Sequence, residues 1–164
     1  ATPEWLWPYC QETFGEATMR EMEALDRQAG FDVRINPLKT TRQTVFQKLK
    51  AEGITLTETP FSPWGLRLDD RQALNHHKFW QEGVIEVQDE GSQLIAILTD
   101  AQPGMRVLDL CAGAGGKTLA LAATMKNKGT LLATDIHEWR LKRARERLKR
   151  AGISNVECRP LNDK

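Results

Sequence analysis

The 164-residue sequence has no apolar run near the ~18 residues that a membrane-spanning helix needs, so a membrane partner is not expected. It has no excess charge of one sign, with 23 Lys and Arg against 22 Asp and Glu; any contact with nucleic acid must therefore be local. Cysteine is scarce and unpaired in spacing: Cys10, Cys111 and Cys158 fit neither a zinc motif nor a disulfide framework, which favours a reducing cytoplasm. His76 and His77 have no second ligand pair at metal spacing and read as loop residues, so no metal is expected. Repeats, low-complexity tracts and a signal-like start are also missing. With 40% hydrophobic residues, what remains is a soluble chain, expected to be monomeric, with one core or two small ones.

Apolar residues between Pro3 and Gly30 recur every three or four positions, predicting two short helices broken near Gly15. Phe31-Asp-Val-Arg-Ile35 alternates as a strand, Thr40 or Thr41 can cap a helix with the stripe Val45, Phe46 and Leu49, and Gly53 closes it. Ile54 to Glu58 and Trp64 to Leu68 read as two short strands. These elements predict a βαβ-like, RRM-like α+β module over residues 1–80. The polar stretch from Arg71 to Gly83 reads as a connection, and Val84 to Val87 as a short strand of a second unit, residues 81–164. From Met105 the pattern alternates: strand 106–110, helix 116–126, strand 130–135, helix 137–151, strand 154–159. Short connections between such βα units imply a parallel, Rossmann-like α/β sheet, here with only its first half of strands.

The loop Val107-Leu-Asp-Leu-Cys-Ala-Gly-Ala-Gly-Gly-Lys-Thr118 joins the first parallel strand to its helix. Small residues in such a turn admit a ligand close to the backbone, and the helix start favours an anionic group. A Walker A loop would need glycine where Cys111 stands, and a Gly-x-Gly-x-x-Gly fingerprint begun at Gly113 would need it at Thr118. Both fail by one residue. Started from Asp109, the loop is similar to motif I of S-adenosylmethionine-dependent methyltransferases, and Asp135, ending the next strand, can accept hydrogen bonds from ribose hydroxyls.

The match is narrower than motif I. Cys111-Ala-Gly-Ala-Gly-Gly-Lys-Thr118 resembles the Cys-Ala-x-x-Gly-Gly-Lys-Thr loop of RNA cytosine-C5 methyltransferases, the bacterial RsmB (Sun, Fmu) and eukaryotic NSUN group. Val87-Gln-Asp-Glu-Gly-Ser-Gln93 resembles that family's Val-Gln-Asp-x-x-Ser-x segment, and Thr2 to Leu6, Phe14 to Glu16, Val33 to Lys39 and Leu49 to Gly53 resemble its N-terminal module. Ala112-Gly113-Ala114 departs from the Ala-Ala-Pro of many members.

The resemblance implies S-adenosylmethionine as cofactor. It places the methionine part against Cys111, Ala112, Gly113, Ala114, Gly115, Gly116 and Lys117, the ribose at Asp135, and Arg140 facing the site. Asn162 or Asp163 would meet the adenine amine. The implied reaction is methylation of cytosine C5 in RNA, with ribosomal RNA the default partner. The family's catalytic cysteines stand in Pro-Cys and Thr-Cys-Ser motifs, and neither occurs here. No catalytic residue is therefore assigned, and the chain itself is expected to be inactive. Cys111 is expected to be a small apolar packing residue, and Cys158 a core one. The opening on Ala1 and the close at Lys164, just past a predicted strand, suggest that both ends were cut. An RNA-binding accessory protein with a vestigial cofactor site, or a methyltransferase of non-RNA substrates, stays open.

Two basic regions could meet RNA. Helix 137–151 carries Arg140, Lys142, Arg143, Arg145, Arg147, Lys149 and Arg150, expected as a solvated face with phosphate contact the sharper alternative. Arg34, Lys39, Arg42, Lys48 and Lys50 lie near Phe61 and Trp64, which suits RNA unless the aromatics are core.

Overall fold

The computed structural model describes residues 2–69, 74 and 76–161. Asn162 and Asp163 lie outside them. The two expected N-terminal helices are α1 (Trp7–Phe14) and α2 (Thr18–Asp26), separated by a 3₁₀ turn at Gly15–Ala17.

A four-stranded antiparallel sheet follows, built from β1 (Phe31–Ile35), β2 (Leu56–Glu58), β3 (Gly65–Leu68) and β4 (Ile85–Val87) in the order β2-β3-β1-β4. The alternation of β1 decides what each face does. Val33 and Ile35 turn to a core shared with Leu66, Leu68, Ile85 and helix α3 (Arg42–Ala51), which contributes Val45 and Leu49. Thr41 caps α3, its hydroxyl accepting from the Thr44 amide at 3.2 Å. Asp32 and Arg34 point the other way, yet both are buried, because the second unit covers that face. The strand expected beyond the boundary at 80/81 thus belongs to the first sheet: β4 pairs with β1 through Val33↔Val87 and Ile35↔Ile85. A single-turn helix, α4 (Lys78–Gln81), leads into it. His77 caps α4 by accepting from the Phe79 amide at Nδ1, which leaves Nε2 as the donor to Glu52, 2.8 Å away.

The second unit comprises α5 (Glu90–Leu98), β5 (Arg106–Asp109), α6 (Gly116–Thr124), β6 (Thr130–Asp135), α7 (Glu138–Ala151) and β7 (Val156–Pro160). Its strands are parallel in the order β5-β6-β7, with Leu108 opposite Leu132 and Ala133 opposite Cys158. Ala120, Leu121, Met125, Leu131, Ala133 and Leu141 form its core, with Cys158 half-buried against them. An RRM-like α+β module and the first strands of a Rossmann-like sheet, as expected, make up the fold. Helix α5 starts inside the Val87–Gln93 motif, where Asp89 caps it by accepting from the Ser92 amide at 3.0 Å.

The contact between the units is polar and dense. Glu86 on β4, 2% exposed, accepts from Arg147 at 2.9 Å and from Arg150 at 2.6 Å, both on α7. The Asn36 amide donates to the carbonyls of Gly83 and Ala151 at 3.0 and 2.9 Å, and Lys39 donates to those of Glu82 and Arg150. At Gly83, with φ of +64°, an added Cβ would stand 2.5 Å from the Arg150 carbonyl oxygen, so only glycine permits this approach.

These contacts correct part of the RNA expectation. Arg34 is buried at 3% exposure, Lys39 is spent on backbone carbonyls, Arg42 pairs with Glu58 at 2.8 Å, and Trp64 packs against the first core. The sequence shows charge but not whether a partner removes it from solvent. On α7, Arg147 and Arg150 are equally committed, and Arg145 donates to the Cys158 carbonyl. Lys142, Arg143 and Lys149 remain on the exposed face. Among the described residues no helix is long and apolar enough to cross a membrane.

Candidate functional site

The loop between β5 and α6 is held at its start by β6: the Ala112 amide donates to the Thr134 carbonyl at 2.8 Å, and the Thr134 hydroxyl donates to the Leu110 carbonyl at 2.6 Å. Asp135, at the end of β6, takes the Gly113 amide on Oδ2 at 2.9 Å and the His137 amide on Oδ1 at 2.8 Å. Its carboxylate therefore ties the loop to the second strand tip, and each oxygen keeps a free lone pair for a ligand. The His137 amide first, then the Gly113 amide and the charge of Arg140, hold this carboxyl below the usual aspartate range.

Gly115 takes the left-handed conformation, φ +81° and ψ +20°, just before α6, and an added Cβ would come within 3.0 Å of that of Ala144. This conformation turns the chain into α6 without a side-chain cap, leaving the first amides of the helix available to a ligand. Behind the turn, Thr118 donates its hydroxyl to Asp109 Oδ2 at 2.6 Å.

A cavity of about 340 Å³ opens beside the loop, lined by Val87, Gln88, Asp89, Ser92, Asp109, Cys111, Ala112, Gly116 and Lys117. It combines two carboxylates, one ammonium and one carboxamide. Of the expected site residues, Cys111, Ala112, Gly116 and Lys117 line it, while Gly113 and Asp135 meet next to it. Ala114 presents its carbonyl to Arg147 at 2.7 Å, and Arg140 is exposed against the Trp139 ring, 5.3 Å from its centroid. One expectation is corrected: Cys111 is exposed, not packed, because the next residue, Ala112, takes the buried position of the turn. Gln88, Asp89 and Ser92 were not assigned to the site from sequence; the signal for them was the Val87–Gln93 resemblance. A larger apolar cleft, about 590 Å³ around Leu38, Trp64, Ile97 and Lys126, contains no loop residue.

A parallel β-α-β unit whose first strand ends in an acid, whose turn is glycine-rich and whose second strand ends in a carboxylate bonded to that turn defines the cofactor half of a Rossmann-like methyltransferase domain. Residues 2–75 match the RsmF/B-like methyltransferase ferredoxin-like domain, and residues 96–162 match the 16S rRNA methyltransferase RsmB/F family. The chain belongs to this RsmB/F methyltransferase family. It is 34% identical over 94% of its length to a probable ribosomal RNA small subunit methyltransferase B of Synechocystis, of which it spans 35%. It is also 34% identical over 76% of its length to the 25S rRNA (cytosine-C(5))-methyltransferase NSUN5 of Arabidopsis thaliana, spanning 22% of that protein. A methyltransferase homolog protein from Pyrococcus horikoshii superposes with a TM-score of 0.89 at 28% identity, covering 97% of this chain and 52% of that one. The chain thus spans about a third of the bacterial relative's length.

The methyl donor of this family is S-adenosylmethionine. The residues fit it: a carboxylate at a strand tip suits vicinal ribose hydroxyls, and a cavity with both signs of charge suits a zwitterionic amino-acid end.

Proposed function

We propose that the protein carrying this chain methylates cytosine C5 in ribosomal RNA with S-adenosylmethionine as donor. The observation that carries the reading is the Asp135–Gly113 bond, which places a strand-tip carboxylate against the loop that borders the two-signed cavity. The names of the relatives support the RNA substrate and, through the Arabidopsis protein, the C5 position.

In this reading Asp135 accepts from the ribose hydroxyls, and the backbone of 111–117 with the first amides of α6 surrounds the methionine part. Lys117 pairs with its carboxylate. The free oxygen of Asp109 takes its ammonium, the other being occupied by Thr118. Arg140 stands at the Asp135 end. When bound, the cofactor supplies a methyl group on a sulfonium sulfur. Attack on cytosine C6 needs a cysteine thiolate, and the family's Pro-Cys and Thr-Cys-Ser motifs do not occur in these residues. We assign Cys111 no nucleophilic role, since it borders the donor's cavity. The chain by itself binds the donor and does not turn it over.

Calorimetry with S-adenosylhomocysteine tests the site: Asp135→Ala should weaken binding by about 10- to 100-fold. Unchanged affinity would refute the ribose role. Transfer of labelled methyl to ribosomal RNA should be absent with this chain alone and present with a protein that contains both cysteine motifs.

A further inference from the structure

Arg34 and Gln88 belong to neither core, yet both are buried, at 3% and 8% exposure. Arg34 Nε donates to Gln88 Oε1 at 2.7 Å. A guanidinium has donors only, so it fixes which way the Gln88 carboxamide points: oxygen toward Arg34, NH2 away from it. On that other side lies the 340 Å³ cavity, which Gln88 lines. Its Nε2 stands 3.7 Å from where a Cβ on Gly116 would be, beside the start of α6, and makes no hydrogen bond among the described residues. The backbone of Gln88 is pinned as well, its amide donating to the Asp32 carbonyl at 3.1 Å and its carbonyl accepting from the Gln93 amide group at 2.8 Å. On a side chain whose residue is nine-tenths buried, an oriented NH2 group facing a cavity beside free helix amides is a built donor for a carboxylate.

Resting on the cofactor reading above, we propose that Gln88 donates to the carboxylate of the cofactor's amino-acid end, and that Arg34, on the first sheet, is the positioning residue that holds Gln88 in that orientation. The first module is then a component of the donor's site. Asp109 and Asp89 face the same cavity and suit the ammonium. With Asp135, Asp109 and Lys117 supplied by the second unit, the first module adds its own contact at the amino-acid end of the ligand.

Two probes separate this proposal from the reading beneath it: S-adenosylhomocysteine, which has the amino-acid end, and methylthioadenosine, which lacks it. Gln88→Glu keeps the acceptor for Arg34 but exchanges the NH2 for an oxygen. Its affinity for S-adenosylhomocysteine should fall about 10- to 100-fold by calorimetry, with methylthioadenosine unchanged and the thermal midpoint kept. Arg34→Met frees the carboxamide to rotate, and should selectively weaken S-adenosylhomocysteine by several-fold, with Arg34→Lys less affected. Equal weakening of both probes, or no change for S-adenosylhomocysteine in a folded variant, would overturn the proposal while leaving the cofactor reading intact. If Gln88→Glu does not fold, Arg34→Met decides by the same contrast. Failure of the unaltered protein to bind either probe would overturn both.

Discussion

Removing the charge of Glu86 should weaken the join between the two units and with it the stability of the whole chain. Its carboxylate is 2% exposed and accepts from Arg147 through Nε at 3.2 Å and NH2 at 2.9 Å, and from Arg150 at 2.6 Å. Arg34 lies close by; burial lowers its guanidinium to about 10, Glu86 opposes that shift and Arg147 adds to it. Glu86→Gln keeps the volume but leaves three guanidinium groups around a neutral amide, two of which lose a charge-assisted acceptor. Breaking a buried pair from one side costs about 3–5 kcal/mol, a large share of the ~5–15 kcal/mol that holds a domain folded. With a urea slope of ~2 kcal/mol/M, the midpoint should drop by roughly 2 M. Trp80, whose ring carries the Arg150 guanidinium 4.3 Å from its centroid, supplies a fluorescence probe at the join. A second variant, Arg147→Gln, and the double variant complete a cycle that should show coupling of at least ~1 kcal/mol. A midpoint shift below ~0.5 M for Glu86→Gln would mean that water already screens the cluster, and the reasoning would fail.

Three further outcomes follow from other contacts. Asn36→Ala strands the Gly83 and Ala151 carbonyls, and should cost about 2–4 kcal/mol in chemical denaturation; a loss under ~1 kcal/mol would show that both carbonyls find water. Gly115→Ala forces a side chain into φ +81° against Ala144, and should lower the thermal midpoint by roughly 3–10 °C, whereas an unchanged midpoint would mean that the turn relaxes. Asp135, held below the ordinary carboxyl range by the His137 and Gly113 amides and by Arg140, adds stability that is present above ~3.9 and is lost as pH falls through its depressed value. Asp135→Asn should therefore flatten the acid side of the stability profile, and parallel profiles for both proteins would contradict the assignment.

Periodicity made most of the architecture legible. The β5-α6-β6-α7-β7 alternation is carried by apolar stripes long enough to register, and the loop by glycines whose role is local. Strand β4 is different. Three residues, Ile85 to Val87, carry too short a pattern to say which sheet they join, and the choice is made by pairing with β1, some fifty residues earlier in the chain. The basic residues misled for a related reason: nothing near Arg34 or Arg147 in sequence reveals that Gln88 and Glu86 will meet them in space. The same distance hid Gln88 as a cavity residue, although its motif was visible. The strand-tip position of Asp135 was readable because it is fixed by the local βα unit alone.

The stitching at Gly83, Asn36 and Lys39 also has a mechanical consequence. With backbone carbonyls of the α4–β4 turn and the end of α7 clasped by the same two side chains, the units have no slack to swing apart like jaws. The cavity, which exposed Cys111 borders, is then reached without the units parting, and the two units should melt as one body in a single cooperative transition.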